Sequence, residues 1–176
     1  MELTIRQERE QEYKQVEEIV RLAFLNEAFS DKKEHQLVAR LRKSDAFIPE
    51  LSLVAIHNDE VIGHVLLTTI TIVHDEKAVQ SLALAPVSVE PTYQGKGIGS
   101  KLIVAALEKA KELSYQSVVV LGHQDYYPKF GFKKASLWKI KAPFEVPDEV
   151  FMALELNEHT LDAVQGVVHY SKAFFE

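Results

Sequence analysis

The 176-residue chain contains no cysteine. Disulfides, thiolate metal sites and a cysteine nucleophile are thereby excluded. No apolar run approaches the ~20 residues that a membrane-spanning helix needs, so no membrane partner is expected. The opening residues, MELTIRQERE, lack the apolar core of a signal peptide, and a cytoplasmic location is expected. Positive charge is short as well. Twenty Lys and Arg stand against 26 Asp and Glu, and the net charge of −6 comes without a basic stripe, which argues against a nucleic-acid partner. His35, His57, His64, His74, His159 and His169 show no metal-ligand spacing, so no metal is assigned. Glycine is scarce: of seven in the chain, Gly95, Gly97 and Gly99 fall within five residues.

What is present reads as one mixed α/β domain over residues 1–176, with 157–176 as a C-terminal extension. There is no repeat, linker or low-complexity segment. Leu3–Arg6 reads as a short strand. From Glu8 to Phe24, Val16, Ile19, Val20, Ala23 and Phe24 recur at helical spacing, and Leu37, Val38 and Leu41 mark a second helix over Lys33–Leu41. Leu51–Ile56 and Val61–Val73 read as strands joined by a turn at HNDE, and Val79–Val89 as the next strand. Helical spacing returns at Ile98, Leu102, Ala105, Ala106, Ala110 and Leu113. SVVVL, Ser117–Leu121, has the β-branched run of a buried parallel strand. A short turn over Asp125–Phe130 ends at Gly131, a good left-handed cap. Phe132–Ser136 and Val150–Leu156 are expected as the last core strands. The sum is two helices, an antiparallel meander and one β-α-β crossover.

The glycine cluster sits between a strand and a helix. As a bare turn it needs no ligand. It is not the dinucleotide fingerprint G-x-G-x-x-G, which wants glycine where Ser100 stands, nor the phosphate loop G-x-x-x-x-G-K-[ST]. The setting still favours an anion. A helix N-terminus offers free N–H groups and partial positive charge, glycine lets a ligand approach the backbone, and Lys96 and Lys101 lie nearby. Pro86 adds a second clue. It interrupts an apolar run fit for a buried strand, yet proline belongs at edges and bulges. Both observations fit if this strand parts from its parallel neighbour there and exposes the backbone of Val87 and Val89. An extended amide ligand could pair with them as a false strand while its diphosphate reaches the glycines. Coenzyme A has that shape.

LAPVSVEPTYQGKGIGSKLI resembles the acetyl-CoA-binding motif of the GNAT superfamily of N-acetyltransferases, Q/R-x-x-G-x-G/A, here Gln94, Gly97 and Gly99. YYPKFGFKKA resembles the next motif of that family, with Tyr127 four residues before Gly131-Phe132. The order of elements over residues 3–156 is similar too, and VVHYSKAFFE is similar to the tail of a bacterial subgroup of predicted acetyltransferases. The resemblance implies a GNAT-like fold with splayed central parallel strands and direct transfer of an acetyl group from acetyl-CoA to an amine, on a small molecule or a protein. It implies that Gln94, Gly95, Lys96, Gly97, Ile98, Gly99 and Ser100 bind the diphosphate, that Val87 and Val89 pair with pantetheine, that the Val87 N–H polarises the thioester carbonyl, and that Tyr127 protonates the departing thiolate.

One departure matters. Some of these enzymes carry a glutamate base on the strand before the loop, and Gln80–Val89 contains no carboxylate. Glu90, His123 and Asp125 are candidates by position, and each also reads as a loop or cap residue. Tyr127 also reads as packing beside Tyr126 and Phe130. A non-catalytic acyl-CoA-binding regulatory module on the same fold is the alternative function. The acceptor pocket is expected between the first two helices, the loop after Leu41 and the segment Ala142–Phe151. The tail is read either as a cover over that pocket or as a contact in a homodimer.

Overall fold

The computed structural model describes residues 1–28 and 30–175; Glu176, the last residue of the expected extension, lies outside them. The chain runs through β1 (Thr4–Gln7), α1 (Tyr13–Phe24), α2 (Glu34–Arg42), β2 (Phe47–His57), β3 (Glu60–His74), β4 (Lys77–Val89), α3 (Ile98–Glu112), β5 (Ser117–Leu121), β6 (Lys133–Lys134), β7 (Ile140–Lys141), β8 (Phe151–Glu155) and β9 (Gly166–His169). Among the described residues nine strands form one mixed sheet in the order β1-β2-β3-β4-β5-β8-β6, with β9 bonded to both β3 and β7.

The expected meander is β2-β3-β4, antiparallel throughout. Its first turn works because Asn58 and Asp59 both adopt positive φ, 50° and 62°, and short polar side chains tolerate that region best after glycine. The expected crossover is β4-α3-β5, with β4 and β5 parallel. Helix α3 turns Leu102, Ile103, Ala106 and Ala110 onto one sheet face, where they meet Leu53, Val65, Leu67 and Val118. On the opposite face Val16, Ile19 and Val20 of α1 and Val38 and Leu41 of α2 cover Val54 and Leu66.

Three expectations need correction, and the tail, whose structure the sequence left open, takes a definite place. Helix α1 starts at Tyr13, after a single 3-10 turn at Glu10–Glu12, and Glu8 is a buried residue before it. Strand β2 begins at Phe47, earlier than the expected Leu51, and its register with β3 shifts between Phe47 and Ser52, around Pro49, a residue that cannot donate to a ladder. Phe132–Ser136 is paired only at Lys133–Lys134; from Ala135 the chain tightens into a 3-10 turn closed by Lys139 at φ 58°. The tail supplies β9, antiparallel to Thr71–Val73 of β3, and then a turn in which Ala173 is buried against α1 and α2 while its carbonyl accepts a hydrogen bond from Arg40 Nε at 2.9 Å. No helix among the described residues is long and apolar enough to cross a membrane.

Candidate active site

Strand β4 builds the site by leaving its neighbour. It pairs with β5 only at Leu82 with Val118 and Ala83 with Val119. Immediately beyond, the register with β3 shifts by one residue, from Leu84 opposite Leu67 to Val87 opposite Val65. The extra residue sits at Ala85-Pro86, a cis peptide, so the proline occupies a bulge, where a missing donor costs no ladder bond. After the bulge the ladder with β3 resumes, and the Glu90 N–H donates to the Ile62 carbonyl at 2.8 Å. In an antiparallel pair successive residues turn their polar groups to opposite sides. Ser88 therefore faces β3 with Glu90, and the N–H groups of Val87 and Val89 face the side that β5 has left. Gln94 Nε2 donates to the Val89 carbonyl at 3.0 Å, so at Val89 the carbonyl is taken by the loop and the N–H is not.

The glycine loop follows. Gly95 and Gly97 have φ of 79° and 80°, and a Cβ on either would meet nothing within 4 Å. They are glycine because the backbone is left-handed there, with open space in front of it. Gly97 caps α3, and the first bond in the helix runs from the Lys101 N–H to the Gly97 carbonyl at 3.2 Å. The N–H groups of Ile98, Gly99 and Ser100 are thus the free donors of the first turn. They open on a hollow of about 360 Å³ lined by Val89, Gln94, Gly95, Gly97, Ile98, Gly99 and Ser100. Of the residues expected in this loop, Lys96 does not line the hollow and is exposed. Ile98 contributes backbone only, its side chain being buried in the core. Val87 lies in the strand gap rather than in the hollow.

Three further residues complete the lining: Tyr93, Tyr126 and Lys129. Tyr126 and Lys129 belong to the segment after β5 and were not expected here. The Tyr126 hydroxyl lies 2.8 Å from Ser100 Oγ and bridges that segment to the first turn of α3.

Tyr127 opens a 3-10 turn, Tyr127–Phe130, capped by Gly131 at φ 103°. It packs into the same apolar cluster as Leu84, Ile98 and Val120, against which Val87, Val89 and Tyr126 also rest. Its ring is edge-on to Tyr126 at 5.1 Å and to Phe132 at 5.7 Å. Burial, with a smaller push from Tyr126, raises its pKa to about 12, so the phenol is protonated at neutral pH. Both the packing role and the acid role are compatible with this placement. The positional candidates for a base look like scaffolding. The His123 carbonyl accepts hydrogen bonds from the N–H groups of Tyr126 and Tyr127, His123 and Asp125 are exposed, and Glu90 accepts a hydrogen bond from the Thr92 hydroxyl.

A buried polar group escaped the sequence altogether. Arg42 donates two bonds to Glu8, Nε to Oε1 at 3.1 Å and Nη2 to Oε2 at 2.8 Å, and one to Glu17 at 2.9 Å. Ser52 Oγ donates to Glu8 at 2.5 Å and lies 2.9 Å from His64 Nε2. His64 is fully buried, and desolvation, with Arg42 adding to it, lowers its pKa to about 3. It is neutral, so its 3.8 Å approach to Glu8 is not an ion pair. No sequence periodicity links residues 8, 42, 52 and 64. Among the described residues no cluster of three or more His, Asp or Glu could hold a metal ion.

These features have counterparts in known proteins. The model of the acetyltransferase (GNAT) family matches residues 13–132. The uncharacterized N-acetyltransferase YjhQ of Escherichia coli K12 is 38% identical over 123 residues, 69% of this chain and 68% of that protein. The uncharacterized N-acetyltransferase YhbS of the same strain is 30% identical over 153 residues, 86% of this chain and 89% of its own length. The crystal structure of Escherichia coli YhbS in complex with CoA superposes with a TM-score of 0.88 at 26% identity, over 99% of this chain and 92% of that one. A GNAT family acetyltransferase from Brucella melitensis in complex with acetyl-CoA gives a TM-score of 0.81 at 32% identity, over 98% of both chains.

Proposed function

The chain belongs to the GNAT acetyltransferase family, and from that premise we propose that it transfers an acetyl group from acetyl-CoA directly to an amine, with the strand gap and the glycine loop as the cofactor site. The observation that carries the assignment of residues is the turning of the Val87 and Val89 N–H groups away from β3, on the side where β5 departs, next to a hollow of free helix donors. The fit to acyl-CoA is good on the molecule's own terms. An extended chain with amides matches an unpaired strand edge, and a diphosphate matches a left-handed glycine turn at a helix N-terminus.

Acetyl-CoA, when bound, supplies an acetyl group activated by a thiol leaving group. The protein supplies the rest. Backbone N–H groups of the loop hold the diphosphate. The Val87 N–H donates to the carbonyl oxygen as negative charge grows there, the kind of fixed dipole that accelerates acyl transfer. The Tyr127 hydroxyl gives its proton to the departing sulfur, and its raised pKa keeps that proton in place at working pH. No carboxylate on β4 takes the amine's proton, which passes to water and is returned to the Tyr127 oxygen at the end of the turnover. The missing carboxylate is the feature that favours the second reading, a non-catalytic acyl-CoA-binding module.

Release of free CoA from acetyl-CoA with a panel of polyamines, amino acids, aminoglycosides and lysine peptides separates the two. Amine-dependent release, lost in Val87→Pro where the donor is removed, supports the enzyme, provided circular dichroism shows that variant folded. Tight CoA binding without release for any amine supports the binding module.

A further inference from the structure

The glycine hollow has two walls, and only one comes from the loop and α3. The other is Tyr126 and Lys129, which follow β5 in the chain. The two walls are held at a fixed separation. Tyr126 OH is 2.8 Å from Ser100 Oγ, and a Cβ on Gly99 would stand 3.8 Å from the same hydroxyl, ordinary van der Waals contact. Lys129 Nζ then lies 4.1 Å from the centroid of the Tyr126 ring and 5.2 Å from that of Phe130, a geometry in which ring faces steady a cation. Two other surface lysines are paired with carboxylates, Lys109 with Glu112 at 3.6 Å and Lys134 with Asp148 at 3.9 Å. Among the described residues Lys129 has no carboxylate within ion-pair distance. Lys96 and Lys101, the cations adjacent in sequence to the loop, do not line the hollow.

We propose that Lys129 is a phosphate ligand of the cofactor site, its ammonium paired with a phosphate group of CoA across the hollow from the α3 N-terminus. The inference rests on the reading of this hollow as the acyl-CoA site. Its chemical basis is charge. Backbone donors of a helix end amount to roughly half an elementary charge, whereas CoA brings a diphosphate and a ribose 3′-phosphate. A net-acidic protein needs a full positive charge at the point of contact to hold such a polyanion. Tyr126 is then a positioning residue, placing Lys129 through its ring and the loop through its hydroxyl.

The test is calorimetric titration of the full-length protein with CoA and with 3′-dephospho-CoA, for the parent, Lys129→Met and Lys129→Arg, at two salt concentrations. Met keeps the length and the contact with the Tyr126 ring but not the charge. The expected result is a dissociation constant for CoA raised roughly tenfold in Lys129→Met, with a weaker salt dependence, and kept within about twofold in Lys129→Arg. An equal loss for dephospho-CoA assigns the contact to the diphosphate. A loss for CoA alone assigns it to the 3′-phosphate. Equal affinity of parent and Lys129→Met for CoA at both salt concentrations overturns the role of Lys129 and leaves the acyl-CoA reading intact. A parent that binds no CoA overturns both.

Discussion

A β-carbon built on Gly122 would stand 2.3 Å from Cε2 of Tyr127, closer than any real contact, so the tyrosine ring rests on bare backbone at the end of β5. That backbone is pinned, because the Gly122 N–H donates to the Val150 carbonyl at 2.9 Å. Phe130 and Phe132 pack the ring from other directions. The position of the Tyr127 hydroxyl is therefore set by the absence of a side chain five residues earlier. Gly122→Ala should push the ring aside and cost about 1–3 kcal/mol of stability through overpacking. CoA affinity should stay near that of the parent while kcat falls. Normal kcat in this variant would show that the hydroxyl position does not matter to the reaction.

Removing the hydroxyl itself is the sharper experiment. Tyr127→Phe should lower kcat by roughly 10²–10⁴, the range for a positioned acid, and leave cofactor binding nearly unchanged. Tyr126→Phe should affect kcat far less. Because the folded pKa of Tyr127 is about 12, the acid form persists across the assay range, and kcat should show no fall from this group below about pH 10. An alkaline limb near pH 9 that vanishes in Tyr127→Phe would keep the acid role and contradict the raised pKa, whereas unchanged kcat in Tyr127→Phe would contradict the acid role itself.

The same raised value bears on stability. A phenol that ionises near 10 in the unfolded chain and near 12 in the native state stabilises the fold fully below pH 10, and that contribution is lost as pH rises through about 12. Tyr170, half-buried and raised to about 12, acts in the same direction. Alkaline unfolding followed by fluorescence should therefore shift to higher pH in Tyr127→Phe, if that variant is otherwise as stable.

At the loop, Gly97→Glu should abolish CoA binding while the fold persists. The side chain enters open space, so nothing inside the protein is displaced, but it puts a carboxylate where a diphosphate should sit. Gly97→Ala controls for the strain of a side chain at φ 80°, about 1–2 kcal/mol, without the charge. Near-normal CoA affinity in a folded Gly97→Glu protein rules the site out.

The buried group beneath α1 and α2 predicts acid sensitivity. His64 takes up no proton in the native state until about pH 3, whereas in the unfolded chain it does so near 6.5. Its contribution is complete above pH 6.5 and is lost as pH falls toward 3, with a slope of up to about 1.4 kcal/mol per pH unit. Urea melts between pH 7 and 4 should show a shallower decline in His64→Gln than in the parent. Arg42→Met, which leaves Glu8 buried without its cation, should lose about 3–5 kcal/mol at neutral pH. A loss below 1 kcal/mol would mean that Glu8 escapes to water when Arg42 is gone.

By itself the sequence determined whatever depends on near neighbours. The helical stripe from Ile98 to Leu113, the left-handed turn at Gly131 and the hairpin at Asn58-Asp59 follow from local periodicity and backbone freedom, and all three stand where spacing put them. Even the parting of β4 from β5 was legible, because a proline in an apolar run admits few placements in a sheet. Tertiary structure alone decided what long-range contact controls. The nine-residue helix α2 brings Arg42 to Glu8, and β3 brings His64 beneath them, by packing that no period records. The two-residue strands β6 and β7 and the pairing of β9 with β3 have too few residues for alternation to show, and exist because a sheet edge was open to them. Lys129 lines the hollow and the loop's own Lys96 does not, because the turn after β5 is tied to the first turn of α3 through Tyr126 and Ser100. Which cation faces a ligand is a matter of side-chain direction in three dimensions, and proximity in sequence carries no information about it.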